Sequence, residues 1–77
     1  NREWQAQTHF QLGDNFFEAG DFQKAFENCS QALDLNRAVK NRGGESVSLL
    51  CAARAESRLG RLAEAQTKIE AALELIE

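Results

Sequence analysis

The chain has 77 residues, of which 43% are hydrophobic and 27% are charged, and it contains no proline. A chain of this length forms at most one small domain with a thin core, because it buries only roughly 60% of the surface that its unfolded form exposes. Its net charge of −3 argues against nucleic acid as a partner, since phosphate binding needs a basic surface. No run approaches the roughly 18 apolar residues of a membrane span, so we expect no membrane partner.

The first residue is Asn1 and not methionine, and we therefore expect the sequence to be a piece of a longer chain. Any targeting signal could then lie outside it. The cellular location stays unknown, with the cytoplasm as the default expectation.

The second half of the chain repeats the first half at a shift of 40 residues. The recurring residues are Gly20, Ala25, Ala32, Leu33 and Leu35, which return as Gly60, Ala65, Ala72, Leu73 and Leu75. In each copy, a segment with helical periodicity runs to the glycine turn and a second such segment follows it. A recurrence of this kind indicates a repeat protein whose unit is a pair of helices.

The apolar periodicity predicts four helices, over residues 2–19, 22–40, 45–59 and 62–76. Short turns between them make neighbouring helices antiparallel. Gly43 and Gly44 are expected to end the second helix in the left-handed conformation. Small residues, namely Gly13, Ala25, Ala53 and Ala65, are expected to let the helices of each pair approach closely. The chain would then be one domain, 1–77, with repeats at about 5–40 and 45–77.

At these residues the chain resembles the tetratricopeptide repeat family. The first copy carries the motif as Leu12-Gly13, Phe16, Gly20-Asp21-Phe22, Ala25, Cys29 and Ala32-Leu33. The second copy carries it as Gly60, Leu62, Ala65, Ile69 and Ala72-Leu73, with Glu56 where the family usually has an aromatic residue. The resemblance implies an all-α fold, in which two helix-turn-helix hairpins, four antiparallel helices in all, form a short right-handed α-solenoid.

The 40-residue period is similar to the long repeats of kinesin light chains and spindle-orienting G-protein modulators. The second copy is also similar to the last repeat of bacterial arrays that precede a CHAT domain. This second similarity implies a possible sensor role beside a catalytic domain.

Catalytic and metal-binding residue patterns are sparse in this sequence. Cys29 and Cys51 lack the spacing of a metal site, and they are interpreted as buried structural thiols, with a disulfide or a reactive thiol as the alternative. The single histidine, His9, is expected to pack between helices. Acidic residues fall at exposed helical positions, where they pair with Lys or Arg one turn away. We therefore expect no enzyme, no cofactor and no metal.

The resemblance implies a concave groove lined by the first helix of each repeat. The groove positions are Phe10, Asp14, Phe17, Glu18, Leu50, Arg54, Ser57 and Arg58. The expected function is that of a scaffold module that binds a peptide or helix of a protein partner in this groove. The alternative is a structural spacer or capping segment of a longer array, for which regulation of an attached catalytic domain is one role. Whether Phe10 and Phe17 are exposed anchors or buried packing residues stays open.

The last predicted helix carries more apolar residues than one hairpin partner can cover. Part of this row, Ile69, Leu73 and Ile76, is expected to face water or another copy of the chain. The sequence thus predicts a possible homodimer through helix four, with Trp4 at the other end as a second candidate surface.

Overall fold

The helices begin at capping residues spaced 20 positions apart. Asn1, Asp21 and Asn41 each precede a helix, and each side chain accepts a hydrogen bond from the backbone N–H three residues on. Asn and Asp are favoured here because their side-chain oxygens satisfy amides that have no partner within the helix. These caps fix where the first three helices start.

The structure is a computed structural model that describes residues 1–76. It contains α1 (Arg2–Glu18), α2 (Phe22–Ala38), α3 (Arg42–Arg58) and α4 (Leu62–Ile76), and no strand occurs in this described part. Each helix packs against the next one in the chain, and α1 also touches α3. The first three helices have 17 residues each and are joined by short turns, which accounts for the 40-residue period. Among residues 1–76, no helix is long and apolar enough to cross a membrane.

The turn inside each hairpin depends on a glycine with positive φ. Gly20 has φ +86° and Gly60 has φ +83°, a conformation that costs glycine little because it lacks a Cβ atom. The turn between the hairpins differs from the prediction. There Lys40 takes the left-handed conformation, with φ +57°, and the two predicted glycines do not.

Gly43 and Gly44 lie instead in the first turn of α3, which begins at Arg42 and not at residue 45. The reason is tertiary packing. A Cβ atom on Gly44 would lie 2.6 Å from Cγ of Asn36, a buried side chain of α2 that is held by hydrogen bonds to Ala32 O and Ser48 Oγ. Gly44 therefore leaves the space that the Asn36 side chain occupies where α2 contacts α3.

The small residues predicted to let the helices approach do so. A Cβ atom on Gly13 would lie 2.5 Å from Cys29 Sγ and 3.3 Å from the carbonyl oxygen of Ala25. Ala25, Ala53 and Ala65 are buried, with 4% exposure or less. Close approach is thus confirmed for α1 and α2, and the burial of Ala53 and Ala65 agrees with the same arrangement in α3 and α4.

Two groups of buried residues form the core. One contains Cys29, Cys51 and Ala52, flanked by the half-buried rings of Phe10 and Phe26. The second contains Leu33 of α2, Leu49 of α3 and Ala72 of α4, flanked by Ala71 and Leu75. Both groups lie where consecutive helices meet, so the core is a thin layer, as the chain length predicts.

The interpretation of the cysteines as thiols is wrong, although both are buried. Cys29 in α2 and Cys51 in α3 form a disulfide, with their Cα atoms 5.8 Å apart. This separation falls within the roughly 4.4–6.8 Å that the Cα atoms of a disulfide span. The bond therefore joins the first hairpin to the second.

Candidate functional site

A cleft opens between α1 and α3 on the side lined by the first helix of each hairpin. Its cavity, about 230 Å³, is lined by Phe10, Asp14, Val47, Leu50, Cys51 and Arg54. The two α1 residues are four positions apart. On α3, Leu50, Cys51 and Arg54 follow Val47 by three, four and seven positions. Each set therefore shares one face of its helix. The cleft thus combines an apolar floor with one acidic and one basic side chain.

Arg54 is held at the edge of this cleft by α1. Its Nη2 donates a hydrogen bond to Asp14 Oδ1 at 2.7 Å, and its guanidinium carbon lies 3.9 Å from the centre of the Phe17 ring. Both charged side chains are nearly half exposed, and an ion pair with that exposure contributes at most about 1 kcal/mol to folding. The contact therefore orients the guanidinium more than it stabilises the fold.

The two groove phenylalanines are both half-buried. Phe10 packs against the buried cluster that contains the disulfide. The Phe17 ring meets the Phe22 ring edge to face, with centroids 5.2 Å apart, and Arg58 lies 5.5 Å from its centre. Each ring thus packs against neighbours and stays partly accessible. Neither ring is therefore a fully exposed anchor or a fully buried packing residue.

The remaining predicted groove positions do not all meet. Glu18 is exposed at the end of α1. Ser57 lines a different cleft, along α4, and does not line the cleft between α1 and α3. Val47, which is 47% exposed, lines the cleft but was not among the predicted groove residues. Its position three before Leu50 and seven before Arg54 is the signal that could have identified it.

The second cleft runs along α4 and contains two of the three residues of the predicted apolar row, Ile69 and Leu73. It is lined by Ser57, Leu62, Ala65, Gln66, Ile69, Glu70 and Leu73. Four large apolar side chains of this helix are exposed: Ile69 at 41%, Leu73 at 50%, Ile76 at 64% and Leu62 at 65%. The α4 face, defined here as Leu62, Ile69, Leu73 and Ile76, is therefore uncovered in the described chain.

One acidic residue departs from the expectation that carboxylates lie at the surface. Glu56 is only 2% exposed, and its Oε1 lies 2.7 Å from Nζ of Lys68, whose side chain is 23% exposed. The pair joins α3 to α4, and Glu56 occupies the position where the family usually has an aromatic residue.

The single histidine lies between helices, as predicted. Nδ1 of His9 on α1 is 3.1 Å from Oδ1 of Asn28 on α2.

Antiparallel helix pairs that stack side by side, with a groove along their first helices, define an α-solenoid. A family model described as tetratricopeptide repeat matches residues 4–77, and the chain belongs to this family. Tetratricopeptide repeats generally mediate protein–protein interaction and are typically non-catalytic. A comparison with curated proteins and one with solved structures gave no match.

Proposed function

We propose that the chain is a non-enzymatic binding module that holds a peptide or short helix of a partner protein in the cleft between α1 and α3. The observation that carries this proposal is the exposure of Val47 and Leu50, 47% and 44%, beside the oriented Arg54. Apolar side chains left open next to a fixed charged group are typical of recognition surfaces. The net charge of −3 favours a protein over nucleic acid as the partner.

The chemistry of the cleft restricts what it can hold. An apolar partner side chain would fill the cavity against Phe10, Val47 and Leu50, and a polar partner group would meet the guanidinium of Arg54. Asp14 repels a carboxylate that enters beside it, which disfavours capture of a free chain terminus. A mixed apolar and polar segment, bound through its side chains, fits this arrangement.

The test starts from a peptide selected on the immobilised chain from a random library, with its affinity measured by fluorescence anisotropy. Leu50→Glu is expected to weaken binding about 30-fold, since it places a charge in the apolar cavity and removes an anchor worth about 2 kcal/mol. Leu12→Glu is the matched control, because Leu12 is 39% exposed and does not line the cleft. Circular dichroism checks that both variants stay folded.

Phe17→Ala and Arg54→Ala are each expected to cost about 2 kcal/mol of binding. The double variant should lose less than the sum, because the two side chains contact each other. Unchanged affinity in Leu50→Glu and in both of these variants would show that the peptide binds elsewhere. A library that yields no binder would favour a structural spacer.

The α4 face supports a second proposal, that two copies of the chain pair through helix four. Removing about 400 Å² of apolar area from water at ~25 cal/mol/Å² is worth on the order of 10 kcal/mol before association entropy is subtracted. After an association cost of about 4 kcal/mol is subtracted, about 6 kcal/mol is left, which corresponds to pairing at tens of micromolar.

Sedimentation equilibrium at several concentrations tests the pairing. The unmodified chain is expected to exceed the monomer mass at high micromolar concentration, and Ile69→Glu with Leu73→Glu is expected to restore a monomer without loss of helicity. A wild-type chain that stays strictly monomeric over the same range would rule out the pairing.

A further inference from the structure

The disulfide between Cys29 and Cys51 is shielded unequally on its two sides. Cys29 is 0% exposed, and its Sγ lies against α1, where a Cβ atom on Gly13 would come within 2.5 Å of it. Cys51 is 6% exposed and is one of the residues that line the cleft between α1 and α3. A small molecule that approaches the disulfide from water therefore meets Cys51 first, through the cleft.

The space around the disulfide is closed except at this cleft. The two cysteines share a buried cluster with Ala52, which is 0% exposed, and the rings of Phe10 and Phe26 pack against the cluster. The cleft itself has a volume of about 230 Å³. That volume is several times the roughly 30 Å³ that one water molecule occupies in the liquid, so a small thiol has room beside Cys51.

We propose that Cys51 is a site of thiol–disulfide exchange that couples the redox state of the chain to the cleft. A small thiol reaches Cys51 Sγ through the open cleft, a segment bound in the cleft shuts the thiol out, and opening of the disulfide weakens the binding of that segment. The inference rests on the proposed function, because it requires a partner segment that occupies the cleft.

The exchange consumes two molecules of a thiol reductant. The thiolate of the first attacks Cys51 Sγ and forms a mixed disulfide, while the bond to Cys29 Sγ breaks and Cys29 leaves as a thiolate that takes up a proton. The second thiolate attacks the reductant's sulfur in the mixed disulfide and releases the Cys51 thiolate, which also takes up a proton. The disulfide is thereby reduced to two thiols, and the two reductant molecules are oxidised to one disulfide.

The charges at the edge of the cleft affect the entering thiolate only weakly. Arg54 lines the same cleft three positions after Cys51 and attracts an anion, but Asp14 lies 2.7 Å from its Nη2 and offsets this attraction. Both side chains are nearly half exposed, so solvent and salt screen what remains. Access to Cys51 is therefore controlled by whether the cleft is open.

Opening the disulfide also changes how the walls of the cleft are held. α1 packs on α2, and the disulfide ties α2 to α3. With the disulfide open, Val47 and Leu50 are held opposite Phe10 by noncovalent contacts alone. Because a less rigid site loses more conformational freedom on binding, we expect the reduced chain to bind the selected peptide about tenfold more weakly.

Two variants, each with one free thiol, test which sulfur atom is reached from water. Cys29→Ala leaves the thiol of Cys51, and Cys51→Ala leaves the thiol of Cys29. Both lack the disulfide and gain the same small side chain, and circular dichroism checks that both are folded. The thiol of Cys51 is expected to react with dithiobisnitrobenzoate about tenfold faster than the buried thiol of Cys29, or faster still.

Reduction of the unmodified chain by dithiothreitol, followed by alkylation and mass spectrometry, tests the shielding. At a peptide concentration ten times its Kd, only about a tenth of the chain has an open cleft, so reduction should slow about tenfold. Leu50→Glu, which weakens peptide binding, should show little of this protection at the same peptide concentration. Low concentrations of urea should leave the reduction rate without peptide nearly unchanged, whereas attack on the unfolded chain would accelerate steeply.

The outcomes separate the inference from the proposed function. The inference is wrong, and the proposed function stands, if a peptide shown to bind in the cleft leaves the reduction rate unchanged or binds the oxidised and reduced chains equally well. Equal reactivity of the two free thiols, a steep dependence on urea, or two free thiols after oxidation in air would also overturn it. If the selected peptide perturbs neither wall of the cleft, the proposed function fails and the inference fails with it.

Discussion

Lys68→Ala is expected to lower the free energy of unfolding by about 3 kcal/mol, because it leaves the buried carboxylate of Glu56 without a cationic partner. Glu56 is 2% exposed and Lys68 Nζ lies 2.7 Å from its Oε1, so little water can replace the ammonium group. Urea denaturation followed by circular dichroism measures the effect. The matched control is Lys24→Ala, whose ion pair with Asp21 is long, 3.9 Å, and exposed, and which should change stability by at most about 0.5 kcal/mol.

Replacing both members of the buried pair gives the complementary result. The double variant Glu56→Leu with Lys68→Met is expected to be as stable as the unmodified chain or more stable, since no charge then has to be buried. If Lys68→Ala instead costs no more than Lys24→Ala, then Glu56 is hydrated and the buried pair is not a feature of the folded chain.

Ala25→Leu is also expected to cost about 3 kcal/mol, through overpacking. Ala25 is 0% exposed, and its carbonyl lies against Gly13 where α1 and α2 are in contact, so the added carbons can be placed only by moving the helices apart. Ala63→Leu makes the same change at an exposed position of α4 and should shift the midpoint little. Equal midpoints for the two variants would mean that the helix contact lies elsewhere.

The fold follows from the sequence because its signals are local and occur twice. Gly20 and Gly60 mark equivalent turns, and Ala25 and Ala65 mark equivalent close contacts. Two copies in register fix the pairing of helices that a single degenerate motif would leave open. The family match over residues 4–77 agrees with this interpretation.

The features that the sequence did not predict depend on contacts between distant positions. The local sequence at Gly43 and Gly44 resembles a helix end. Only the proximity of Asn36 to Gly44 shows why a glycine stands in the first turn of α3. Likewise, the burial of Glu56 depends on Lys68, which lies on the next helix. Cys29 and Cys51 belong to different hairpins, so their pairing requires the stacking geometry.

The candidate groove was only partly predictable for the same kind of reason. Phe10, Asp14, Leu50 and Arg54 come together because each falls on the inner face of its own helix. Ser57 was assigned by repeat equivalence to Phe17. Equivalent positions in two repeats face different neighbours, however, since the first hairpin is followed by another hairpin and the second hairpin ends the described chain.

The central claim is that a partner binds in the cleft between α1 and α3. It is tested most directly by mapping amide chemical-shift changes in ¹⁵N-labelled chain during titration with a peptide selected on it. The account predicts that the largest changes fall on both walls of the cleft, at Phe10 and Asp14 on α1 and at Val47, Leu50 and Arg54 on α3. Changes concentrated on α4 or on the outer face of α2, with both walls of the cleft unmoved, would contradict it.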